Sequence, residues 1–151
     1  MGNKKGMTFI EILITIGVIA ILALGVILII DPGEQLARGR DNQREIHLNA
    51  VLHSVSRKFL DDRKSWDCGL TGPIPETFTS IGSGGGQYNL YSCIYPNYLS
   101  SIVFDPNQGY FDSLNDYDAG YEIRRDSVTG RVFLKAPLAE LKEIEVEGLS
   151  R

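Results

Sequence analysis

Residues 4–30 decide how this chain is organised, and they read K-K-G-M-T-F-I-E-I-L-I-T-I-G-V-I-A-I-L-A-L-G-V-I-L-I-I. The run from Ile12 to Ile30 contains no charged residue. A helix over residues 7–30 would be about 36 Å long, and the hydrocarbon core of a bilayer is about 30 Å thick. We therefore predict a single membrane-spanning helix over residues 7–30.

A removable secretory signal peptide is the alternative for this segment. Such peptides have an apolar region of about 7–15 residues that is followed by small residues at a cleavage site. Here the apolar run is longer, and it ends at Asp31-Pro32 with no A-x-A pattern after it. We expect a retained span. Its orientation is not decided by charge, because basic residues flank both ends, at positions 4–5 and 38–44.

Glu11 is the unusual residue of the predicted span. A carboxylate inside an apolar helix is costly and needs a partner. Glu11 lies about one turn into the apolar stretch, so a position at the membrane interface is one explanation. The other explanation is a positive charge from another chain at the same depth. The residues alone leave both explanations open.

Residues 4–11, K-K-G-M-T-F-I-E, together with the apolar run resemble the start of type IV pilins and pseudopilins. The shared pattern is a short basic leader ending in Gly, then an apolar stretch whose fifth residue is Glu. The resemblance implies that prepilin peptidase cuts between Gly6 and Met7 and methylates the new amino terminus. Members usually begin with Phe, where this chain has Met7. The resemblance also implies that Glu11 pairs with the amino terminus of a neighbouring subunit during assembly.

The same resemblance supplies expectations for location and partners. It implies a leader over residues 1–6 and a single-pass protein of the cytoplasmic (inner) membrane, with its head outside the cytoplasm. The head would become part of a surface or periplasmic filament. The expected partners are other pilin subunits, prepilin peptidase, the pilus or secretion assembly platform, and the membrane.

Residues 31–64 are predicted to carry the helix beyond the membrane. Asp31-Pro32-Gly33 interrupts the apolar run, since proline removes a helical hydrogen bond and glycine is a poor helix former. Either one helix ends here and another begins, or one helix continues with a kink, and we expect the kink. Beyond it, one face of an amphipathic helix is apolar. This apolar stripe consists of Leu48, Val51, Leu52, Val55 and Phe59.

Charge argues against nucleic acid as a partner. Without Lys4 and Lys5, 13 basic residues face 19 acidic ones, for a net charge of −6. Non-specific binding to a phosphate backbone needs a basic surface, so nucleic-acid binding is not expected. A basic cluster does occur at Arg38, Arg40 and Arg44, but acidic residues are interleaved with it. We expect it to form a salt-bridged helix face away from the apolar stripe.

Residues 65–151 are predicted to form a small β-rich head with a C-terminal tail. The clearest strands are Gly120–Arg125 and Arg131–Ala136, joined by a hairpin loop in which Gly130 takes a positive φ. The predicted fold class is α+β and pilin-like. A long N-terminal helix, membrane-spanning in its first half and amphipathic in its second, packs on a small antiparallel sheet.

Three other segments of the head have weaker patterns. Tyr88–Tyr95 is rich in aromatic residues and is predicted as a strand. Gly82–Gly86 lacks the Lys-Ser/Thr ending of a phosphate-binding loop, so we expect a flexible linker. Leu138–Arg151 is charged and weakly periodic, which favours a tail or a marginal terminal helix.

The two cysteines are Cys68 and Cys93, and their spacing fits no zinc or redox motif. Two buried thiols are one interpretation. The other is a disulfide, which is expected if the head is exported to an oxidising compartment. By chain entropy, a closed loop of about 25 residues would stabilise the fold by roughly 3 kcal/mol.

Oxygen-bearing side chains crowd the loop before the last hairpin, at Asp112, Asn115, Asp116 and Asp118. Some major pseudopilins bind calcium in a C-terminal loop, and calcium prefers oxygen ligands. The spacing of an EF-hand is absent, however, and Asp and Asn are ordinary turn residues. We expect no cofactor, and these four positions are the calcium candidates.

The most consistent function is that of a structural subunit of a type IV pilus or a type II secretion pseudopilus. No metal-ligand cluster, nucleophile elbow or phosphate loop is visible, so we do not expect an enzyme. The alternatives are a minor pilin that binds DNA or a surface at the filament tip, and a membrane-anchored enzyme or binding module.

Overall fold

A computed structural model describes residues 6–29, 31–62, 66 and 68–148 of the chain. The predicted leader charges, Lys4 and Lys5, lie outside these residues. The chain divides into two compact units, residues 1–36 and 37–151, and the boundary falls within the second helix.

Helix α1 spans Phe9–Ile29 and is apolar throughout its length apart from Glu11 and Thr15. The hydroxyl of Thr15 donates to the carbonyl of Ile12 at 2.8 Å, so this polar group is satisfied within the helix. A helix of 21 residues is about 31 Å long. Helix α1 therefore lies within the predicted segment 7–30 and is long enough to cross a bilayer.

Helix α2 spans Pro32–Asp61, and its start is set by Asp31. The Asp31 carboxylate accepts hydrogen bonds from the backbone N–H of Gly33 at 2.9 Å and of Glu34 at 3.3 Å. Asp31 is thus an N-cap, and proline at the first helical position loses no hydrogen bond. The described backbone has two helices here, which differs from the single kinked helix that we expected. Asp31 and Pro32 begin α2, and Ile30 between the two helices lies outside the described residues.

The apolar stripe of α2 forms one side of the core of the head. Leu48, Val51, Leu52 and Val55 are buried, and Phe59 is partly buried against the same core. The other side comes from an antiparallel sheet. The predicted α+β architecture, an apolar helix followed by a second helix and a small antiparallel sheet, is confirmed.

Among the described residues the sheet has five strands, in the order β1-β3-β4-β5, with β2 paired to β3. The strands are β1 Thr79–Gly82, β2 Tyr110–Ser113, β3 Asp116–Arg125, β4 Val132–Ala136 and β5 Ile144–Gly148. Strand β3 buries every second side chain from Tyr117 to Ile123, as expected when one face of a strand meets a core.

The β3–β4 hairpin is confirmed, and its loop has the predicted chemistry. The Asp126 carboxylate accepts hydrogen bonds from the backbone N–H of Val128 at 2.7 Å and of Thr129 at 3.1 Å. Gly130 has a φ of 74°, a conformation that side chains other than glycine rarely adopt. The register pairs Arg125 with Val132.

Two secondary-structure predictions in the head are wrong. Within the predicted strand Tyr88–Tyr95, the structure has a short helix α3, Tyr91–Ile94, because Tyr91 and Ile94 both turn into the core. Within the predicted tail or terminal helix Leu138–Arg151, β5 completes the sheet beside β4. Its sequence I-E-V-E alternates apolar and acidic residues, and the acidic side chains are exposed.

The glycine-rich segment Gly82–Gly86 is an ordered turn rather than a linker. The side chain of Gln87 lies over it and accepts a hydrogen bond from the backbone N–H of Gly84 at 2.7 Å. A Cβ atom on Gly82 would lie 2.2 Å from the carboxamide of Gln87, so a side chain at this position would displace the Gln87 side chain from the turn.

Cys68 and Cys93 form a disulfide, with their Cα atoms 5.5 Å apart. The bond joins the short 3₁₀ turn Gly69–Thr71 to α3 across 25 residues of sequence. The disulfide thereby holds the segment before β1 against α3, the short helix after β1.

We expect the variant Cys68→Ser/Cys93→Ser to unfold more easily by about 3 kcal/mol, because the closed loop restricts the unfolded chain. Denaturation of the full chain in detergent, followed by fluorescence of the only tryptophan, Trp66, measures this. Wild-type protein treated with reductant should show the same loss. Equal stability of the oxidised and reduced forms would contradict the prediction.

Candidate processing and assembly site

The predicted cleavage site lies directly before the first helix. Gly6, Met7 and Thr8 are non-helical and exposed, and α1 begins at Phe9. The bond between Gly6 and Met7 is therefore accessible within the described structure and lies outside the helix.

Glu11 is the third residue of α1, and it folds back on the start of the helix. Its carboxylate accepts a long hydrogen bond from the backbone N–H of Thr8 at 3.4 Å. The carbonyl of Thr8 in turn accepts from the backbone N–H of Glu11 at 3.1 Å and of Ile12 at 3.2 Å. The sequence T-F-I-E at residues 8–11 fits a capping box, in which Thr is the N-cap. Sequence analysis missed this role of Glu11, although the spacing was visible.

From Ile12 to Val26, α1 presents a surface that is apolar on every side apart from Thr15. All side chains from Phe9 to Val26 are exposed within the single chain. This 18-residue window has a mean hydropathy of 2.7, and the helix is long and apolar enough to cross a membrane by length and composition. Such a surface is stable only when lipid or other protein chains cover it. A secretory signal sequence would pass the same test, so the residues in front of the helix decide between the two.

Those residues fit a known family. Residues 1–27 match the family model for the prokaryotic N-terminal methylation motif. This segment is a prepilin-type methylation motif. The methylation motif is the hallmark of type IV pilins and pseudopilins, and it implies processing by prepilin peptidase and assembly with other pilin subunits. Comparisons with curated proteins and with solved structures found no match.

The methylation motif contains all three residues that sequence analysis selected for processing and assembly: Gly6, Met7 and Glu11. It also contains most of α1, up to Ile27. The head lies outside the matched residues. The motif and the single apolar helix together fit a membrane-anchored, pilin-like protein.

A second cluster of charged residues lies in the head, around the buried side chain of Arg44. The guanidinium of Arg44 donates through Nε to Asp105 at 2.7 Å and through one Nη to Asp41 at 2.8 Å. The same Nη donates to Glu140 at 3.0 Å. The Arg44 cluster thus joins α2 to two distant loops, and Arg44 and Asp105 are both 0% exposed.

Hydrogen bonds at the edge of the Arg44 cluster stabilise the carboxylates of Asp41 and Glu140 in the charged form. Hydrogen bonds from Arg40 and Arg44 lower the pKa of Glu140 to about 2. Burial by itself would raise the pKa of Asp41, but the backbone N–H groups of Glu140 and Leu141 donate to its carboxylate and the net effect lowers it. Both groups are therefore ionised at neutral pH.

The predicted salt-bridged helix face is correct only in part. Arg40 does form an exposed ion pair, but its partner Glu140 lies 100 residues away in sequence. Arg44 was expected to lie away from the core, whereas it is fully buried. Arg44 can be buried because three carboxylates balance its charge and accept hydrogen bonds from its guanidinium group. No local sequence signal identifies Asp105 or Glu140 as these partners.

The calcium candidates lie around the β2–β3 hairpin, and several already have partners. The carboxylate of Asp118 accepts from Gly120 N–H at 2.8 Å and from the Gln87 side chain at 2.9 Å. Asp116 accepts from the Tyr110 hydroxyl at 2.9 Å. Asp112 and Asn115 are exposed on the same hairpin. Within the part of the chain that the structure describes, no group of three or more His, Cys, Asp or Glu is arranged to hold a metal ion.

Proposed function

We propose that this chain is a structural subunit of a type IV pilus or a type II secretion pseudopilus. In this proposal prepilin peptidase cuts between Gly6 and Met7, and the mature chains polymerise through α1. The observation that carries the proposal is the methylation motif, which extends into a helix that is apolar apart from Glu11 and Thr15.

The chemistry of assembly follows from cleavage. Removal of the leader creates an ammonium group at Met7, close in sequence to the carboxylate of Glu11. An unpaired charge at this depth is costly, and an opposite charge on a neighbouring chain removes much of that cost. The pairing of Glu11 with the amino terminus of the next subunit would then set the axial register of the filament.

The apolar surface of α1 supplies the other part of the interaction. In the membrane before assembly, lipid covers this surface. In the filament, the helices of neighbouring subunits would cover it instead. The small residues Gly17, Ala20, Ala23 and Gly25 allow helices to approach closely.

The proposal includes a location and a set of partners. The chain would be anchored in the cytoplasmic membrane by α1 with its head on the outer side, where an oxidising environment suits the Cys68–Cys93 disulfide. Its partners would be other pilin subunits, prepilin peptidase and the assembly platform. The role would be structural rather than catalytic, with no cofactor.

Mass spectrometry of the mature amino terminus tests this function. We expect a chain that begins at Met7, with or without a methyl group, and a retained leader when Gly6 is replaced by Ile. A conservative change outside the cleaved bond, Thr15→Ser in α1, should leave processing unchanged. A mature chain that lacks the apolar helix, or that still carries residues 1–6, would contradict the proposal.

A further inference from the structure

Charge is unevenly distributed along the head. Residues 65–123 contain seven Asp or Glu and no Lys or Arg, whereas residues 124–148 contain five Lys or Arg and five Asp or Glu. Three of these five basic residues are in ion pairs with glutamates, which leaves Arg124 and Arg125: Arg131 pairs with Glu147, Lys135 with Glu143 and Lys142 with Glu45. The change of sign falls inside strand β3, between Glu122 and Arg124. The two hairpins that β3 connects therefore differ in charge.

The acidic end of β3 is the β2–β3 hairpin. Asp112 and Asp116 are exposed there, and Asp112 forms no hydrogen bond or ion pair within the described part of the chain. The hydrogen bond from Tyr110 to Asp116, together with the negative charges of Asp116, Asp118 and Asp112, raises the pKa of Tyr110. The hairpin thus presents carboxylates that no described cation neutralises.

The opposite end of β3 lies about 30 Å away, for ten residues at about 3.3 Å each. Arg124 is held there between two rings, with its guanidinium carbon 4.0 Å from the centre of Phe133 and 4.9 Å from that of Phe78. Its Nε atom is buried without a hydrogen-bond partner among the described residues. A guanidinium held by two aromatic rings loses little freedom when it binds a carboxylate.

Arg125 lies beside Arg124 and lines a small surface cavity. The other lining residues are Pro73, Ile74, Pro75, Glu76 and Ser127. The backbone of Arg125 is fixed by its N–H, which donates to the carbonyl of Pro75 at 2.7 Å. Neither Arg124 nor Arg125 forms an ion pair within the described residues.

The carboxylates near Arg124 and Arg125 form no ion pair with them within the described residues, so both guanidinium groups can bind a carboxylate of another chain. Backbone hydrogen bonds from Thr129 and Val128 lower the pKa of Asp126, and the charge of Arg124 contributes to this, but the two groups form no ion pair among the described residues. Glu147 pairs with Arg131 at 3.0 Å. Glu76 lines the cavity and limits its positive charge without pairing with either arginine.

We infer that the heads of neighbouring copies of this chain contact each other end to end. The β2–β3 hairpin of one copy, with Asp112 and Asp116, binds the Arg124–Arg125 end of the next copy. The two surfaces are different and lie at opposite ends of one strand, so the contact is heterologous and adds subunits without closing. The inference rests on the proposed function, because the filament supplies the second copy.

Charge reversal in the full chain tests this contact. We expect Asp112→Lys and Arg125→Glu each to reduce the filament fraction at least about tenfold, because each places like charges opposite one another. The double variant restores opposite charges and should recover assembly to near the wild-type level. The matched control is Arg57→Glu, an exposed arginine of α2 without an ion pair in the described residues, which should assemble normally.

Cross-linking provides a measurement that does not depend on assembly yield. Chains with Asp112→Cys and chains with Ser127→Cys are co-expressed, and a short bismaleimide is added to the filaments. We expect a covalent dimer, and none from Arg57→Cys with Ser127→Cys. The Cys68–Cys93 disulfide does not react with this reagent.

The outcomes separate this inference from the proposed function. Normal filaments from both single reversals, a double variant no better than the single ones, or no dimer from Asp112→Cys with Ser127→Cys would each overturn the end-to-end contact alone. A wild-type chain that forms no filament would contradict the proposed function and the inference with it.

Discussion

Glu11→Ala is expected to reduce filament assembly at least about tenfold while cleavage after Gly6 continues. An ammonium group left unpaired at the membrane boundary carries a cost of several kcal/mol, and the variant removes the carboxylate that would pair with it. Processing should continue because Glu11 lies beyond the cleaved bond. Immunoblots of the filament fraction and of the membrane fraction measure the two quantities in the same cells.

The capping box requires a matched control for this experiment. The carboxylate of Glu11 also accepts a hydrogen bond from Thr8 N–H, so the Ala variant loses a helix cap as well as a charge. Glu11→Gln keeps an acceptor that suits the third position of a capping box but carries no charge. We expect Glu11→Gln to assemble as poorly as Glu11→Ala.

The two variants separate the two roles. Wild-type assembly of Glu11→Gln would mean that Glu11 acts as a helix cap and that its charge is dispensable. Wild-type assembly of Glu11→Ala would exclude both roles. Co-expression with the wild-type chain gives a further check, because a subunit that cannot pair should be absent from mixed filaments.

Arg44→Ala is expected to destabilise the head by about 3–5 kcal/mol, the effect of removing one partner from a buried ion pair. The substitution leaves the carboxylates of Asp105 and Asp41 buried without their counter-charge. Trp66 is buried, and its ring N–H donates to the Tyr88 hydroxyl at 2.8 Å, so its fluorescence reports unfolding of the head. Urea denaturation of the full chain in detergent therefore measures the change in the free energy of unfolding.

Two other arginine variants control for the loss of a positive charge. Arg57→Ala removes an exposed side chain with no ion pair among the described residues, and we expect a change within about 0.5 kcal/mol. Arg40→Ala removes an exposed pair with Glu140, which is worth about 1 kcal/mol or less. Similar losses for Arg44→Ala and Arg57→Ala would show that the Arg44 cluster does not stabilise the head.

The parts of the fold that follow from neighbouring residues were visible in the sequence. The apolar run predicted α1, and the stripe of Leu48, Leu52 and Val55 predicted the buried face of α2. The β3–β4 hairpin was predicted because alternation on both sides of a turn with Gly130 is also a local signal. The period of a helix or a strand is visible in a short stretch of sequence, so these elements can be predicted without knowing the rest of the chain.

The methylation motif was visible in the sequence for the same reason. Its leader and Gly6 come just before the apolar helix, and Glu11 lies in the first turn of that helix. The capping box of Thr8 and Glu11 was equally local and was overlooked. Glu11 was interpreted through its depth in the membrane and its pairing with another chain, and its place three residues after Thr8 was not considered.

Other features depend on contacts between distant parts of the chain. Arg44 looked like one more charge on a polar helix face, and its partner Asp105 lies 61 residues away. Strand β5 was predicted as a tail or a terminal helix because its own sequence is charged and only weakly periodic. It is a strand because it pairs with β4 at the edge of the sheet, and that pairing is not visible in a local pattern. The aromatic segment that includes Tyr91 became a helical turn because packing into the core overrode its strand propensity.

The sequence by itself determined the anchor, the processing motif and the class of fold, since each depends on residues that are neighbours along the chain. Only the tertiary structure decided which charges are buried together and which charged side chains lie at each end of β3. Burial and ion pairing depend on which residues are close in space. Folding brings together residues that are far apart in the sequence, and no short sequence pattern shows those contacts.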